Sequence, residues 1–252
     1  MHETVKYPNY FRESITGVLE NNQPGPIILL VPGFCGNKEE NGLFTQFAEY
    51  LARQGFNSLR FDFSGIGDSE GDFVDSSIRK QASDLNATIK YVQSRHPYNP
   101  IGLVGFSLGA TVALKSQNPH VSAYSLWSPA FFPAKDMFPR YNTPENLVKL
   151  REQGYIEKNG LRIGKQLFED LRSYDSTASL QSLVSPVQII HGTNDSRINF
   201  QSSVDASKIL RCDKRLVLID GANHSYKDNI LHREKVFEEA TNWFKQLKSK
   251  TP

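Results

Sequence analysis

A serine between two glycines is the first feature of this chain that could do chemistry. Ser107 is the centre of the pattern Gly105-Phe106-Ser107-Leu108-Gly109, which follows an apolar run and precedes a helix-like run. In that setting the serine occupies a tight turn between strand and helix, where its hydroxyl is exposed as a nucleophile. The alternative is an ordinary corner, in which the glycines save space and the serine caps the helix. The pattern alone leaves both interpretations open.

A serine nucleophile needs a base, and the base needs an acid that orients it. Among the six histidines, His224 is the candidate base, because it lies in a short loop just past the last predicted strand. His2 is expected in a terminal tail, and His191 is expected to pack or hydrogen-bond locally. The candidate acid is Asp195, which follows a strand ending at His191. Asp220 is the rival acid, but it precedes His224 by only four residues.

Two backbone amides are expected to stabilise an oxyanion. One is the N–H of Leu108, the residue after the nucleophile, and the other is the N–H of Phe34 in the loop after the third strand. Cys35 is adjacent to Phe34, but no histidine lies beside it in sequence. We therefore interpret Cys35 as part of the wall of the site and not as a nucleophile.

Apolar runs alternate with helical patterns along the chain. Continuous apolarity is typical of strands that are covered on both faces, as in a parallel sheet. The runs predicted as strands are 26–33, 57–65, 101–106, 122–128, 187–192 and 215–221, with 11–20 as an antiparallel edge strand. Helices are predicted over 42–55, 77–94 and 232–250. This order predicts a single α/β domain over residues 1–252 with a mostly parallel central sheet and helices on both faces.

One segment, about 129–177, breaks this alternation and is predicted to be a lid. Thr143 and Pro144 have the residue types of a helix N-cap and first turn. Asn159-Gly160 predicts a two-residue hairpin turn that pairs Lys158 with Leu161 and Ile156 with Ile163. A second short helix follows, so the insertion is predicted to be helix, hairpin, helix. The alternative is an excursion remote from any site.

Composition narrows the classes of partner. The net charge is +2 and no long basic block occurs, so neither nucleic acid nor an anionic membrane surface is indicated. Two cysteines are too few for a disulfide framework. No apolar run long enough for a membrane span is present, and the N-terminus lacks the apolar core of a signal peptide. We expect a cytoplasmic protein, and leave its oligomeric state open, a homodimer included.

The motifs together resemble the α/β-hydrolase superfamily. They are "VPGFCGNK", "RFDFSGIGDSEG", "VGFSLGA" and "HGTND" with "GANHSY", in family order over about residues 25–245. Within it, the chain resembles the serine esterases that include the bacterial cinnamoyl and feruloyl esterases and the monoacylglycerol-lipase-like enzymes. One departure is Pro32-Gly33, where the family usually has His-Gly before the oxyanion residue. The resemblance also implies that Asp62 supports the loops by hydrogen bonding.

The resemblance implies a carboxylic-ester hydrolase with the triad Ser107, His224 and Asp195, acting on a small-molecule ester without a cofactor. The expected pH limb lies in the histidine range. Five aromatic side chains near the lid entrance favour an apolar or aromatic acyl group, although they could equally fasten the lid to the core: Trp127, Phe131, Phe132, Phe138 and Tyr141. Acylglycerols, thioesters and amides are the alternative substrates, and a non-catalytic binding module is the alternative of another class.

Overall fold

The predicted strands form one sheet. The computed structural model describes residues 2–21, 24–97 and 99–250, so residues 1, 22–23, 98 and 251–252 of the predicted domain lie outside it. The strands of the main sheet are β1 (His2–Pro8), β2 (Ser14–Glu20), β3 (Ile27–Val31), β4 (Asn57–Phe61), β5 (Ile101–Phe106), β6 (Val121–Trp127), β9 (Val187–Gly192) and β10 (Lys214–Ile219). Their order is β1-β2-β4-β3-β5-β6-β9-β10. β2 pairs antiparallel with both β1 and β4, and the other pairs are parallel.

Helices cover both faces of the sheet, which is why its parallel strands are apolar throughout. Two of them, α1 (Leu43–Arg53) and α9 (Ile230–Phe244), bury Phe47 and Phe244 against one face. The other face is covered by α2 (Ile78–Arg95), α3 (Leu108–Ser116), α7 (Thr177–Ser182) and α8 (Gln201–Ile209). Each large apolar side chain that is fully buried there stabilises the fold by about 1.5–3 kcal/mol. Within the described residues, no helix combines the length and apolarity needed to cross a membrane.

The parallel strands bring distant loops together. Parallel strands all end at the same edge of a sheet, so the loops after β3, β5, β6, β9 and β10 meet at one place. Ser107 follows β5, while Asp195 and His224 follow β9 and β10. The sheet topology thus brings these three residues, which are far apart in sequence, to the same edge of the sheet.

Between β6 and β9 the chain leaves the main sheet. It forms α4 (Pro133–Asp136), α5 (Pro144–Glu152), a hairpin of β7 (Tyr155–Lys158) and β8 (Leu161–Gly164), and α6 (Lys165–Ser173). The hairpin has the predicted register, because Asn159 and Gly160 both adopt positive φ, as this turn requires. The Thr143 hydroxyl accepts a hydrogen bond from the Asn146 N–H, which confirms the predicted cap.

The insertion packs above the turn that holds Ser107. Its apolar side chains, including Ile156, Ile163 and Phe168, form a cluster that also contains Leu108 and Ile198. Leu108 begins α3, and Ile198 lies in the loop after β9. The insertion therefore packs with the start of α3 and with the loop after β9, both at the carboxyl edge of the sheet, and we propose that it acts as a lid.

The expectation of a polar N-terminal tail is wrong. His2–Pro8 is a strand that pairs with β2, and the imidazole of His2 lies 2.8 Å from the Glu20 carboxylate. Val5 and Tyr7 are buried while their neighbours are exposed. This alternation over only seven residues is too short to stand out among polar residues, and the strand depends on pairing with β2. The helices α7 and α8 were likewise not predicted.

Candidate active site

The turn at Ser107 holds its serine in an unfavourable backbone conformation. Ser107 has φ 53° and ψ −118°, a region that costs a non-glycine residue of the order of 1–3 kcal/mol. Two backbone hydrogen bonds maintain it: the Ser107 N–H donates to the Trp127 carbonyl at 2.9 Å, and the Ala130 N–H donates to the Ser107 carbonyl at 3.1 Å. The serine is therefore not a conventional N-cap, and its hydroxyl makes no capping bond to α3.

The glycines on either side of Ser107 are required by space. A Cβ on Gly105 would lie 2.8 Å from the Cα of Ala110. A Cβ on Gly109 would lie less than 3.0 Å from the carbonyl oxygens of Val31 and Pro32. Since these neighbours are backbone atoms, they cannot rotate away as a side chain would. The pattern thus lets α3 start directly against β3.

Gly109→Ala is expected to lower the free energy of unfolding by about 3 kcal/mol or more, because its methyl group overlaps two backbone carbonyls. Urea denaturation followed by circular dichroism measures the change. Gly154→Ala is the matched control, since Gly154 has φ +83° but open space around its Cβ position. That control should cost only about 1 kcal/mol. Equal losses in the two variants would contradict the steric explanation.

The structure brings Ser107, His224 and Asp195 into one line of hydrogen bonds. His224 Nε2 lies 3.1 Å from Ser107 Oγ, and His224 Nδ1 lies 2.7 Å from Asp195 Oδ2. Asp220 lies elsewhere: it accepts a hydrogen bond from the Thr193 hydroxyl at 3.0 Å. Asp195 is thus the aspartate that contacts the imidazole of His224, and Nε2 is the ring nitrogen that faces the Ser107 hydroxyl.

Asp195 contacts a second histidine. His191 Nε2 lies 3.0 Å from Asp195 Oδ2 and 3.1 Å from the carbonyl oxygen of Ile198. Both are acceptors, so Nε2 carries a proton, and Nδ1 lies 2.7 Å from the Ser203 hydroxyl. The other Asp195 oxygen accepts the N–H groups of Arg197 and Ile198 at 2.8 and 2.9 Å. Both oxygens of the Asp195 carboxylate are therefore held by hydrogen bonds.

The surroundings of Asp195 and His224 lower the pKa of each side chain. Burial alone would raise the pKa of Asp195, but the hydrogen bonds from His191 and His224 outweigh it and hold that pKa well below its usual range. Burial lowers the pKa of His224, although Asp195 acts in the opposite direction. At neutral pH the carboxylate is therefore ionised and the imidazole is neutral. These are the states that a general base and its orienting acid require.

Hydrogen bonds of Ser128 and Tyr226 hold the loop that carries His224. Ser128 Oγ lies 2.9 Å from the carbonyl oxygen of His224 and 2.8 Å from the hydroxyl of Tyr226. Tyr226 is fully buried and donates its hydroxyl to the Ile190 carbonyl at 3.0 Å. Sequence reasoning missed His191, Ser128 and Tyr226 as parts of this arrangement. A local signal existed only for His191, which precedes Asp195 by four residues.

The loop after β3 is held by buried carboxylates. Glu40 is 7% exposed, and its Oε1 accepts the Gly33 N–H at 2.6 Å. Asp62 is fully buried and accepts the backbone N–H of Lys38 at 2.7 Å and its ammonium at 2.8 Å. Asp62 thus supports the loop, as the resemblance implied. Phe34 lies between these supports, and Leu108 is the first residue of α3, where an N–H has no intrahelical acceptor.

A cavity of about 440 Å³ opens above Ser107 and His224. Its wall includes Phe34, Tyr141 of the insertion and Cys35. Burial raises the pKa of the Cys35 thiol to about 12, so the thiolate is not populated at neutral pH and Cys35 belongs to the wall, as expected. Among the described residues, no group of three or more His, Cys, Asp or Glu side chains could hold a metal ion.

The expected aromatic pocket is only partly present. Trp127 is fully buried against Phe47, with ring centroids 4.8 Å apart, so it belongs to the core beneath α1. Phe131 is fully buried on the opposite face, and Phe132 packs against that same core. Of the five aromatics near the lid entrance, Tyr141 lines the cavity.

Phe138 packs on Phe168 of α6, with ring centroids 5.2 Å apart. This contact joins two parts of the insertion to each other, so it matches neither the expected contact with an acyl group nor the alternative of fastening the lid to the core. The expectation that Trp127, Phe131 and Phe132 contact the acyl group is wrong, because the turn after β6 directs Trp127 and Phe131 into opposite cores.

Residues 22–151 match the family model described as serine aminopeptidase, S33. The chain belongs to this family. It is an α/β hydrolase by fold as well: a solved structure of Est1E from Butyrivibrio proteoclasticus with bound ferulic acid superposes with a TM-score of 0.82, at 21% identity over 96% of this chain and 98% of that one.

Two relatives of this α/β hydrolase carry the names of a thioesterase and of a lipase homolog. The mouse mitochondrial palmitoyl-protein thioesterase ABHD10 is 24% identical over 221 residues, which cover 83% of this chain and 72% of that protein. The monoglyceride lipase homolog of monkeypox virus is 22% identical over 239 residues, covering 82% of this chain and 86% of that protein. The coarse class of hydrolase is therefore established, while these names differ in substrate.

Proposed function

We propose that this chain is a serine hydrolase of carboxylic esters, with Ser107 as nucleophile, His224 as general base and Asp195 as the acid that orients it. The observation that supports this most is the unbroken line of hydrogen bonds from Asp195 through His224 to Ser107 at the floor of a cavity. The lowered pKa of His224 supports it further, because the base is neutral where it must act.

The proposed reaction has two halves. As Ser107 Oγ bonds to the acyl carbon, its proton passes to His224 Nε2, and the Phe34 and Leu108 N–H groups donate to the oxyanion. The C–O bond to the alcohol then breaks, and the alcohol takes the proton from Nε2. Water attacks the acyl-enzyme in the same way, with His224 as base, and releases the acid and Ser107. No other reactant is needed.

A thioester is the second candidate substrate class. The observation that favours it is the relationship to a palmitoyl-protein thioesterase over 83% of this chain. The same groups would act, with a thiol as the leaving group in place of an alcohol. An aromatic acyl group of the cinnamoyl or feruloyl type has less support than the sequence offered. Only Tyr141 of the five expected aromatics lines the cavity, where the other phenyl and phenol rings among the described lining residues are Phe34 and Phe106.

A substrate panel tests this proposal and separates its branches. p-Nitrophenyl esters of increasing chain length are compared with methyl ferulate, an acyl thioester and an aminoacyl p-nitroanilide. Hydrolysis of the esters, with the anilide at least a hundredfold slower, is expected. A preference for the anilide would assign the chain to peptide hydrolysis, and no turnover of any substrate would favour a binding module.

The pH dependence follows from the base. kcat/KM for p-nitrophenyl butyrate is expected to rise with pH and reach a plateau, because His224 accepts a proton only when neutral. Its pKa is lowered from 6.5, so the midpoint should lie below 6.5 and not above it. Stopped assays from pH 4.5 to 8.5 measure this limb, and a flat profile would contradict the role of His224.

Glu40 is a second group that could make kcat/KM change with pH, since burial raises its pKa to about 7. Glu40→Gln is the control that separates the two groups, because the amide oxygen can still accept the Gly33 N–H but does not titrate. The limb below pH 6.5 should persist in this variant. Its disappearance would assign the limb to Glu40.

A further inference from the structure

Positive charge is concentrated on the wall of the cavity above Ser107. Arg140, Lys158 and Arg197 all line it. They come from separate parts of the chain: the turn after α4, the end of the β7 strand and the loop after β9. The whole chain carries a formal charge of only +2, so this concentration is local and does not reflect a basic protein.

None of these three cations has a carboxylate partner among the residues that the structure describes. Elsewhere the same residue types are commonly paired, as Lys38 is with Asp62 and Arg215 with Glu239. Cations that line one cavity and form no ion pair are a ready site for an anion.

Lys158 is held in place by aromatic rings. Its ammonium lies 4.7 Å from the ring centroid of Phe34 and 4.9 Å from that of Tyr141, and it donates a hydrogen bond to the Tyr141 hydroxyl. A lysine ammonium has three N–H donors, so two remain for a ligand. Because the rings restrict the side chain before a ligand arrives, less conformational entropy is lost on binding.

Arg140 is also held, and it bridges the insertion to the acid loop. Its Nη2 donates to the carbonyl oxygens of Asp136 at 2.9 Å and Arg197 at 2.7 Å. The other three N–H groups of a guanidinium remain available for a planar acceptor. The charge of Arg197 also reaches the catalytic base, since it adds to the effect of burial in lowering the pKa of His224.

One acidic side chain opposes these cations among the described lining residues. Glu40 lines the cavity, but it is 7% exposed and accepts the Gly33 N–H. Burial raises its pKa to about 7, and even when ionised it supplies one negative charge against the three positive charges of Arg140, Lys158 and Arg197. The wall therefore has a net positive charge under neutral conditions.

We propose that the substrate of this site carries an anionic group, such as a carboxylate, that contacts Arg140, Lys158 and Arg197 while its ester carbonyl lies at Ser107. This inference rests on the proposed ester hydrolysis and names its substrate class. The anion can belong to the acyl part, as in a monoester of a dicarboxylic acid, or to the alcohol part, as in an acylated hydroxy acid. In both cases hydrolysis breaks the acyl C–O bond, consumes one water and leaves the anionic group unchanged.

Two pairs of esters test the proposal and distinguish these sources. The acyl pair is p-nitrophenyl hydrogen glutarate against p-nitrophenyl valerate, and the alcohol pair is 3-acetoxybenzoate against its methyl ester. Each kcat/KM is divided by the rate with hydroxide, to remove differences in intrinsic reactivity. In one pair the anionic ester is expected to exceed the neutral one by about tenfold or more. Added KCl should reduce that ratio, because salt screens the attraction.

Variants connect the preference to the cations. Lys158→Met and Arg197→Met are each expected to lower the anionic-to-neutral ratio by about tenfold. Arg151→Met is the matched control, since Arg151 is an exposed cation of α5 in the same insertion that does not line the cavity. It should leave the ratio unchanged.

Using the ratio as the readout removes any general loss caused by a disturbed lid. Equal ratios in wild type and variants, or no anionic preference in either pair, would overturn this inference while the proposed ester hydrolysis stands. No turnover of any of the four esters would overturn the proposed function itself.

Discussion

Ser107→Ala is expected to lower kcat for ester hydrolysis by about 10⁵-fold or more, while the fold is retained. The Ser107 hydroxyl supplies the atom that would bond to the acyl group, and it is the hydroxyl that lies 3.1 Å from His224 Nε2. The smaller alanine fits the same turn, so thermal unfolding should change by little. Single-turnover assays with p-nitrophenyl butyrate, which would also detect residual acylation, measure the effect.

Cys35→Ala is the matched control for this variant. Cys35 is the other nucleophile type on the cavity wall, but burial raises its pKa to about 12. We expect it to retain at least about a third of the wild-type rate, as a wall residue would. A Ser107→Ala protein that keeps a tenth of its activity, or a Cys35→Ala protein that loses it, would overturn the assignment of the nucleophile.

Asp195→Asn is expected to lower kcat by about 10⁴-fold. One carboxylate oxygen accepts two backbone N–H groups, and the other lies against the rings of His191 and His224. Backbone amides cannot reverse their role, so the Asn oxygen must face them and its NH₂ must face the imidazoles. His224 Nδ1 then has to accept, which moves the proton to Nε2 and leaves no lone pair for Ser107.

Asp220→Asn is the control for that variant. Asp220 is the other aspartate near His224 in sequence, and it bonds to the Thr193 hydroxyl instead. Its replacement should change kcat by no more than about threefold, since it touches no reacting group. If Asp220→Asn lost as much activity as Asp195→Asn, the assignment of the orienting acid would be wrong.

Ser107→Ala and Asp195→Asn also report on different steps of the reaction. Without Ser107 no acyl-enzyme can form, so a burst of p-nitrophenol should be absent. Without the Asp195 carboxylate the nucleophile remains but is poorly activated, so acylation should still occur slowly. This difference separates loss of the nucleophile from loss of its activation.

Much of the site follows from local sequence patterns. The turn at Ser107 is predictable because Gly105 and Gly109 are spaced as that turn requires, and the structure shows backbone atoms where their side chains would be. The hairpin register is predictable because Asn159-Gly160 suits a turn with two residues at positive φ. Both signals are local, so they act within a few residues and can be read without knowing the rest of the fold.

The choice of Asp195 over Asp220 depends on residues far apart in sequence, but it can still be predicted from the sequence. It depends on the rule that parallel strands end at the same edge, which places loops after β9 and β10 beside the loop after β5. Sequence order and strand ends were sufficient for that prediction. They could not supply the second histidine on Asp195, because the distances from His191 depend on how the loop after β9 closes.

By itself, the sequence determined the strands of the sheet other than β1, the turn at Ser107 and the loops that carry Asp195 and His224, because each depends on periodicity or on a short motif. It did not show that β1 and not β2 is the edge strand, since β1 depends on pairing with β2. Only the tertiary structure decided the character of the cavity. Trp127 and Phe131 lie four residues apart, yet they enter opposite cores. Arg140, Lys158 and Arg197 lie far apart in sequence but line one wall. Side-chain direction and long-range packing set these positions, and neither leaves a local pattern.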